Sequence, residues 1–227
     1  MAIMARTQSP RKIGWSLLLL LIVLGARYYL NQSREHARPT RAPAQEEVES
    51  STSVRSGWTI HRACTLVTHP HNDGDSFRAK LPDGSEREFR LYFVDTPESQ
   101  FKRYRDGNTN AKRIAEQARY FNNISSDQAV AIGSKAKQFT LSLLRDTPFD
   151  IITKHEAVFD SERHYAHIEL HYEAQRQRLD EMLVQRGLAR IHTQGADLAD
   201  GTSLEKHRQH LRALEAKAKQ QKIGAWQ

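Results

Sequence analysis

Between Asp73 and Glu98 the sequence runs DGDSFRAKLPDGSEREFRLYFVDTPE, and this stretch constrains the chain more than any other. Pro82-Asp83-Gly84-Ser85 is a turn signal set between two strand-forming runs, which reads as an antiparallel hairpin. With the turn centred near Asp83-Gly84, Asp75 falls roughly opposite Tyr92 or Phe93. Asp73, Asp75, Asp95 and Glu98 then converge at one end of the hairpin. So many carboxylates repel one another unless a cation joins them. Oxygen donors with neither Cys nor paired His suit a hard ion, Ca²⁺ or Mg²⁺. Gly74 lets NDGD bend, and Pro97 removes a ladder donor and ends the strand after Thr96. Taken singly, NDGD and DTPE are ordinary turns with solvated acids. Joined by one hairpin with Arg90 between them, they form a candidate site. Strict alternation places Arg90 and Asp95 on opposite faces. Both can serve one ligand only if a bulge, or a loss of strand geometry near Asp95, resets the phase.

The rest of the globular pattern begins at Trp58. WTIHRACTLV, FDIITKH and YAHIELHYE read as further strands. SSDQAVAIGSKAKQFTLSLLRD repeats apolar residues at +3/+4, LDEMLVQRG is a short helix stopped at Gly187, and SLEKHRQHLRALEAKAKQQ is a last amphipathic helix. Strands first, then strands mixed with about three helices, predict an α+β fold built on a small barrel. Residues 102–123 are polar and partly helical, an expected surface insertion.

Ahead of this domain lie a basic segment (1–12), an apolar segment (13–30) and a polar linker (31–56). Ile13 to Ala26 carry no charge, a run of 14 residues. That is long for a signal-peptide core and short for a full span. Arg27 can snorkel and Tyr28 and Tyr29 suit an interfacial belt, so an uncleaved transmembrane anchor is expected. Leu24 is a poor residue for a cleavage site after Ala26, although a secreted protein with a cleaved signal is the alternative. The short basic N-terminus predicts a single-pass membrane protein with its globular domain outside the cytoplasm. The formal net charge is +7, of which +4 falls in 1–56. The globular part is only mildly basic, weak evidence by itself for a nucleic-acid partner. Cys64 is the only cysteine, so no internal disulfide forms, and its alternating flanks make it a core residue. The eleven His have irregular spacing and no Cys beside them, which argues for surface histidines over a zinc site.

The motifs DGDSF (Asp73–Phe77), FRLYFVDTPES (Phe89–Ser99), LVQRGLARI (Leu183–Ile191) and LRALEAKAKQQKIGAW (Leu211–Trp226) occur in an order that resembles the thermonuclease, or staphylococcal nuclease-like, family. The resemblance spans about Trp58 to Trp226. It implies a five-stranded OB-fold barrel with about three helices and a Ca²⁺-dependent phosphodiesterase site. Carried over by position, Asp75 and Asp95 are the side-chain metal ligands and Thr96 adds its backbone carbonyl. Glu98 is the general base or water-orienting carboxylate, and Arg90 the first phosphate-binding arginine. A second arginine precedes the strand that here reads Tyr165-Ala166-His167-Ile168. Arg163 takes that place, with His167 as the alternative in a shifted frame.

The chemistry of phosphodiester hydrolysis suits these residue types. A divalent ion and two guanidiniums can stabilise the charge that gathers on five-coordinate phosphorus. An OB-type groove favours single-stranded or flexible DNA and RNA. The expected function is a membrane-tethered, calcium-dependent endonuclease; no protein partner is implied. The alternative is a non-catalytic nucleic-acid-binding or interaction domain on the same barrel. The chain departs from the family in four places: Ser76 stands where the family usually has Thr, with its hydroxyl kept and little effect expected; the hairpin between Asp75 and Arg90 is one residue longer; LARIHTQ lacks the tyrosines that stack a base in some relatives; and residues 102–123 follow Glu98 directly.

Overall fold

Apolar alternation along the strand runs is what closes this fold. The computed structural model describes residues 51–159 and 161–227. The basic segment, the expected anchor at 13–30 and the linker up to residue 50 lie outside the described residues. Among the described residues, no helix is long and apolar enough to cross a membrane.

The strands are β1 (Thr52–Arg55), β2 (Trp58–Leu66), β3 (Ser76–Lys80), β4 (Glu86–Leu91), β5 (Val94–Asp95), β6 (Phe149–Ala157), β7 (His164–Tyr172), β8 (Gln175–Arg178) and β9 (Arg190–Ile191). The helices are α1 (Ala111–Tyr120), α2 (Ser126–Asp146), α3 (Leu179–Gln185) and α4 (Leu204–Gln220), followed by a short 3-10 turn at Gly224–Trp226. The main sheet runs β1-β2-β3-β4-β7-β6, with β8 on β7, and β6 pairs again with β2. The pairings therefore return to their start through five strands. The β4–β7 pair is parallel and the others are antiparallel. Phe77, Phe89, Phe149, Ile151 and Ile168 are buried in the core. Burial of these faces fixes register, because a one-residue slip would turn each to water.

Three sequence expectations change. The linker expected over 31–56 stops short, because Thr52–Arg55 forms β1 on β2. Ser56 and Gly57 make a two-residue loop with φ of 51° and 79°, a type I′ turn whose twist suits a hairpin. Four α-helices are present among the described residues, one more than expected; α1 lies inside the 102–123 insertion. The hairpin register sets Ser76 opposite Arg90, and Leu91 N–H donates to the Asp75 carbonyl. Asp75 thus lies beside Leu91, not Tyr92 or Phe93.

Helix α2 braces the site end of the hairpin. It opens on a capping box in which Ser125 and Gln128 satisfy each other's backbone N–H groups. A Cβ at Gly133 would lie 2.4 Å from the Pro97 and Glu98 carbonyl oxygens, and one at Gly74 would lie 2.8 Å from Thr96 Oγ1. Both positions need glycine so that helix and turns can touch. Thr140 Oγ1 donates to the Gly74 carbonyl at 2.8 Å, tying NDGD to the same helix.

Candidate active site

The break that alternation required occurs at Phe93. Its φ is +66°, left-handed for a bulky residue, and Val94 N–H donates to the Tyr92 carbonyl at 2.8 Å. Phe93 N–H bonds to the Gln194 carbonyl and its own carbonyl accepts from His192 N–H. The chain so leaves β4, restarts as β5 and pairs with β9, Asp95 opposite Arg190. The phase resets, and Arg90 Nη2 reaches Asp95 Oδ1 at 2.7 Å.

Asp95 is the hub of the polar cluster. Its Oδ1 accepts from Arg90 and from Arg113 Nη2 at 2.5 Å; its Oδ2 accepts from Arg190 Nε at 2.7 Å and Gln117 Nε2 at 3.0 Å. Burial pushes its carboxyl up, but Arg113, Arg190 and Arg90 outweigh that and hold it below the usual carboxylate range. Asp75 lies behind it. Its Oδ2 accepts from Thr96 N–H at 2.7 Å, and Arg90 Nη1 is 3.2 Å from Oδ1. Burial holds the Asp75 carboxyl high, Arg90 opposes that and Asp95 adds to it. Asp73, also held high by burial and by Asp75, accepts from Ser99 Oγ at 3.3 Å.

Glu98 is held from the insertion. Arg113 Nε is 2.8 Å from Oε1, Asn110 Nδ2 donates to Oε2 at 3.1 Å, and Lys102 Nζ is 3.8 Å away. Glu98 N–H donates to Gln117 Oε1 at 2.9 Å. Gln117 also donates to the Thr96 carbonyl at 3.0 Å. Asn110 is the residue that precedes α1, and Arg113 and Gln117 follow at three- and four-residue spacing, which puts those two on one face of the helix.

A cavity of about 580 Å³ opens over these groups. Arg90, Asp95, Glu98, Arg113 and Arg163 line it, and so do Tyr104, Phe159 and His192–Gln194. Asp75 and Thr96 are buried and are not among its lining residues; Asp75 is linked to it through Arg90. His167 does not reach it. That ring is buried against Trp58, Tyr92 and Phe93, and burial pushes its imidazole down to about 4. Of the two candidates for the second cationic position, Arg163 is the one that faces the cavity.

Asp75, Asp95 and the Thr96 carbonyl are all oxygen donors, which is the right chemistry for a hard divalent ion. Among the described residues, no group of three or more His, Cys, Asp or Glu side chains is gathered as a metal cluster. A protein cation instead bridges Asp95 and Glu98: the Arg113 guanidinium stands in between them. By chemical type the three donors suit a divalent ion, and Asp95 is the one of them that the Arg113 guanidinium also holds.

Sequence reasoning missed Arg113, Gln117, Asn110 and Arg190. Arg190 lies within the LVQRGLARI motif. The other three are readable only as polar residues at the start and along one stripe of α1, which resembles a solvated face until burial is known.

An α+β fold with an arginine-and-carboxylate cavity at the end of a hairpin defines the class. The family model described as staphylococcal nuclease homologue matches residues 88–227, and the chain belongs to that family. The match begins inside β4, so Arg90, Asp95, Thr96, Glu98 and Arg163 fall within it and Asp75 lies ahead of it. No curated protein matches the chain.

Proposed function

We propose that the chain is a calcium-dependent endonuclease that hydrolyses phosphodiester bonds of DNA and RNA in single-stranded or flexible regions. The observation that carries this reading is the convergence of Arg90, Arg163, Glu98 and Asp95 on one cavity. We read the closed circuit of strand pairings as an OB-type barrel, a fold whose groove accepts single strands.

Arg90 and Arg163 bind the phosphoryl oxygens, each guanidinium able to donate two bonds to one group. Asp75, Asp95 and the Thr96 carbonyl hold the divalent ion, which supplies charge neutralisation at phosphorus when bound. The Glu98 carboxylate accepts a proton from water as the water oxygen bonds to phosphorus. The bond from phosphorus to the leaving oxygen breaks, that alkoxide takes up a proton from solvent, and Glu98 releases its proton to solvent. Asn110 and Gln117 keep Glu98 and Asp95 from swinging away, so less ordering is needed at reaction. Tyr104 and Phe159, 49% and 84% exposed at the cavity, offer faces on which bases can stack.

One observation favours the second reading, a non-catalytic nucleic-acid-binding domain. Asp95 is already paired with three protein guanidiniums, so its charge is compensated without any ion. Cleavage of a labelled single-stranded DNA by the purified full chain, with Ca²⁺ and with chelator, separates the two. Calcium-dependent cleavage that falls at least about a hundredfold in Arg163→Ala supports the nuclease. Binding without cleavage in either condition supports the binding domain.

For location we propose a membrane anchor at residues 13–30 with the nuclease domain outside the cytoplasm, supported by the uncharged run Ile13–Ala26 after Arg11 and Lys12. Protease added to cells whose outer barriers are opened should digest the domain. Protection of the domain would overturn this placement.

A further inference from the structure

The three guanidiniums on Asp95 are not alike. The Arg90 side chain is 10% exposed and also bonds Asp75 and Ser76. Arg190 is 6% exposed and fixed by the β5–β9 pairing. Arg113 is 44% exposed, arrives from the insertion, and makes its ion pairs with Asp95 and Glu98. Its helix is anchored independently of that side chain. Ile114 is fully buried, and Gln117 stays bonded to Asp95 Oδ2 and the Thr96 carbonyl. The guanidinium can therefore leave while the helix stays.

The charges give a reason for it to leave. Asp75, Asp95 and Glu98 face four protein cations: Arg90, Arg113 and Arg190 on the aspartates, and Lys102 with Arg113 on Glu98. A divalent ion seated on Asp95 Oδ1 would face two guanidiniums on that oxygen, those of Arg90 and Arg113, and the repulsion at such separations is large. An exposed ion pair on a long, flexible side chain is the weakest of the three to give up.

We propose that Arg113 is an exchangeable counter-ion of the site, competing with a divalent cation for Asp95 Oδ1. Without the ion it closes the gap between Asp95 and Glu98. When the ion binds, the guanidinium moves off the carboxylates yet stays on the cavity wall with Arg90 and Arg163. There an incoming phosphodiester neutralises it, so cation and nucleic acid favour each other's binding. The exchange rests on the reading of the cavity as a cation-dependent phosphodiesterase site.

Calcium binding to the full chain tests it without any turnover, by titration calorimetry and by the calcium-induced rise in melting temperature. Arg113→Gln should bind Ca²⁺ roughly tenfold more tightly than wild type, with Arg113→Lys close to wild type. A phosphorothioate single-stranded oligonucleotide should raise the wild-type affinity for Ca²⁺ and raise that of Arg113→Gln less. Asp95→Asn should abolish the binding. Equal affinity in wild type and Arg113→Gln overturns the exchange while leaving the cation-dependent reading standing, as does weaker binding by Arg113→Gln. Absence of Ca²⁺ binding in both proteins overturns the exchange and the cation-dependent reading together.

Discussion

Asp95 and Asp180 are two buried carboxylates with opposite surroundings. Asp95 sits under the cavity and accepts from three arginines and a glutamine. Asp180, in α3, is closed off by α4: its Oδ2 lies 2.7 Å from His207 Nε2, and its Oδ1 has no protein partner. Burial raises both carboxyls, and their neighbours outweigh it in both, arginines for Asp95 and chiefly His207 for Asp180. The similar direction hides a difference in use. Asp95 has more cationic partners than it needs, and one of them is exposed enough to leave. Asp180 has too few, and none can leave without exposing a buried charge. An oversupplied carboxylate beside a cavity is poised for exchange, and an undersupplied one inside the core holds helices together.

Several variants would break or sharpen this contrast. The largest stability effect is expected at the core pair. His207→Ala leaves Asp180 buried without its partner and should cost about 3–5 kcal/mol of unfolding free energy. Chemical denaturation of the full chain reads it, and Ca²⁺ binding at the cavity should persist in the folded fraction. A loss under about 1 kcal/mol, the scale of an exposed ion pair, would remove the distinction between the two carboxylates.

Next comes a pH effect from His167, beside Asp180 and His207. An unfolded imidazole takes up its proton below about 6.5, whereas the folded one resists until about 4. The unfolded state binds more protons across that window, so stability falls as pH drops from 6.5 towards 4. The full effect of that shift is about 3 kcal/mol. His167→Phe should flatten the acid side of the stability profile by that order, and an unchanged slope would contradict it. The smallest effect concerns the cavity rim. Tyr104→Ala with Phe159→Ala should weaken binding of a base-bearing single strand about fivefold or more, from the loss of stacking. Binding of an abasic strand of the same charge should not change.

The hairpin was legible because it is written locally: a turn signal, two strand runs and carboxylates at one end. Its alternation even exposed the need for a break, which Phe93 supplies through a left-handed backbone that no residue type announced. Two candidates for the second cationic position were legible, and the packing of the strand leaves Arg163 at the cavity and His167 buried away from it. The shell around Asp95 was not legible. Asn110, just before α1, and Arg113 and Gln117 within it are polar residues of a segment that reads as surface, and only its packing over the 95–98 turn buries Gln117 and aims Arg113 inward. The first hairpin was hidden for a similar reason. Thr52–Arg55 has little apolar signal of its own and is held as a strand by the Ser56–Gly57 turn and its pairing to β2.

The central claim is that this cavity performs hydrolysis with Glu98 taking the proton from water. The direct measurement is kcat for cleavage of a single-stranded DNA by full-length wild type and Glu98→Gln at saturating Ca²⁺, with melting temperatures recorded for both. If Glu98 takes that proton, kcat falls roughly 10²–10⁴-fold with little change in melting temperature. Cleavage by Glu98→Gln at the wild-type rate would contradict it.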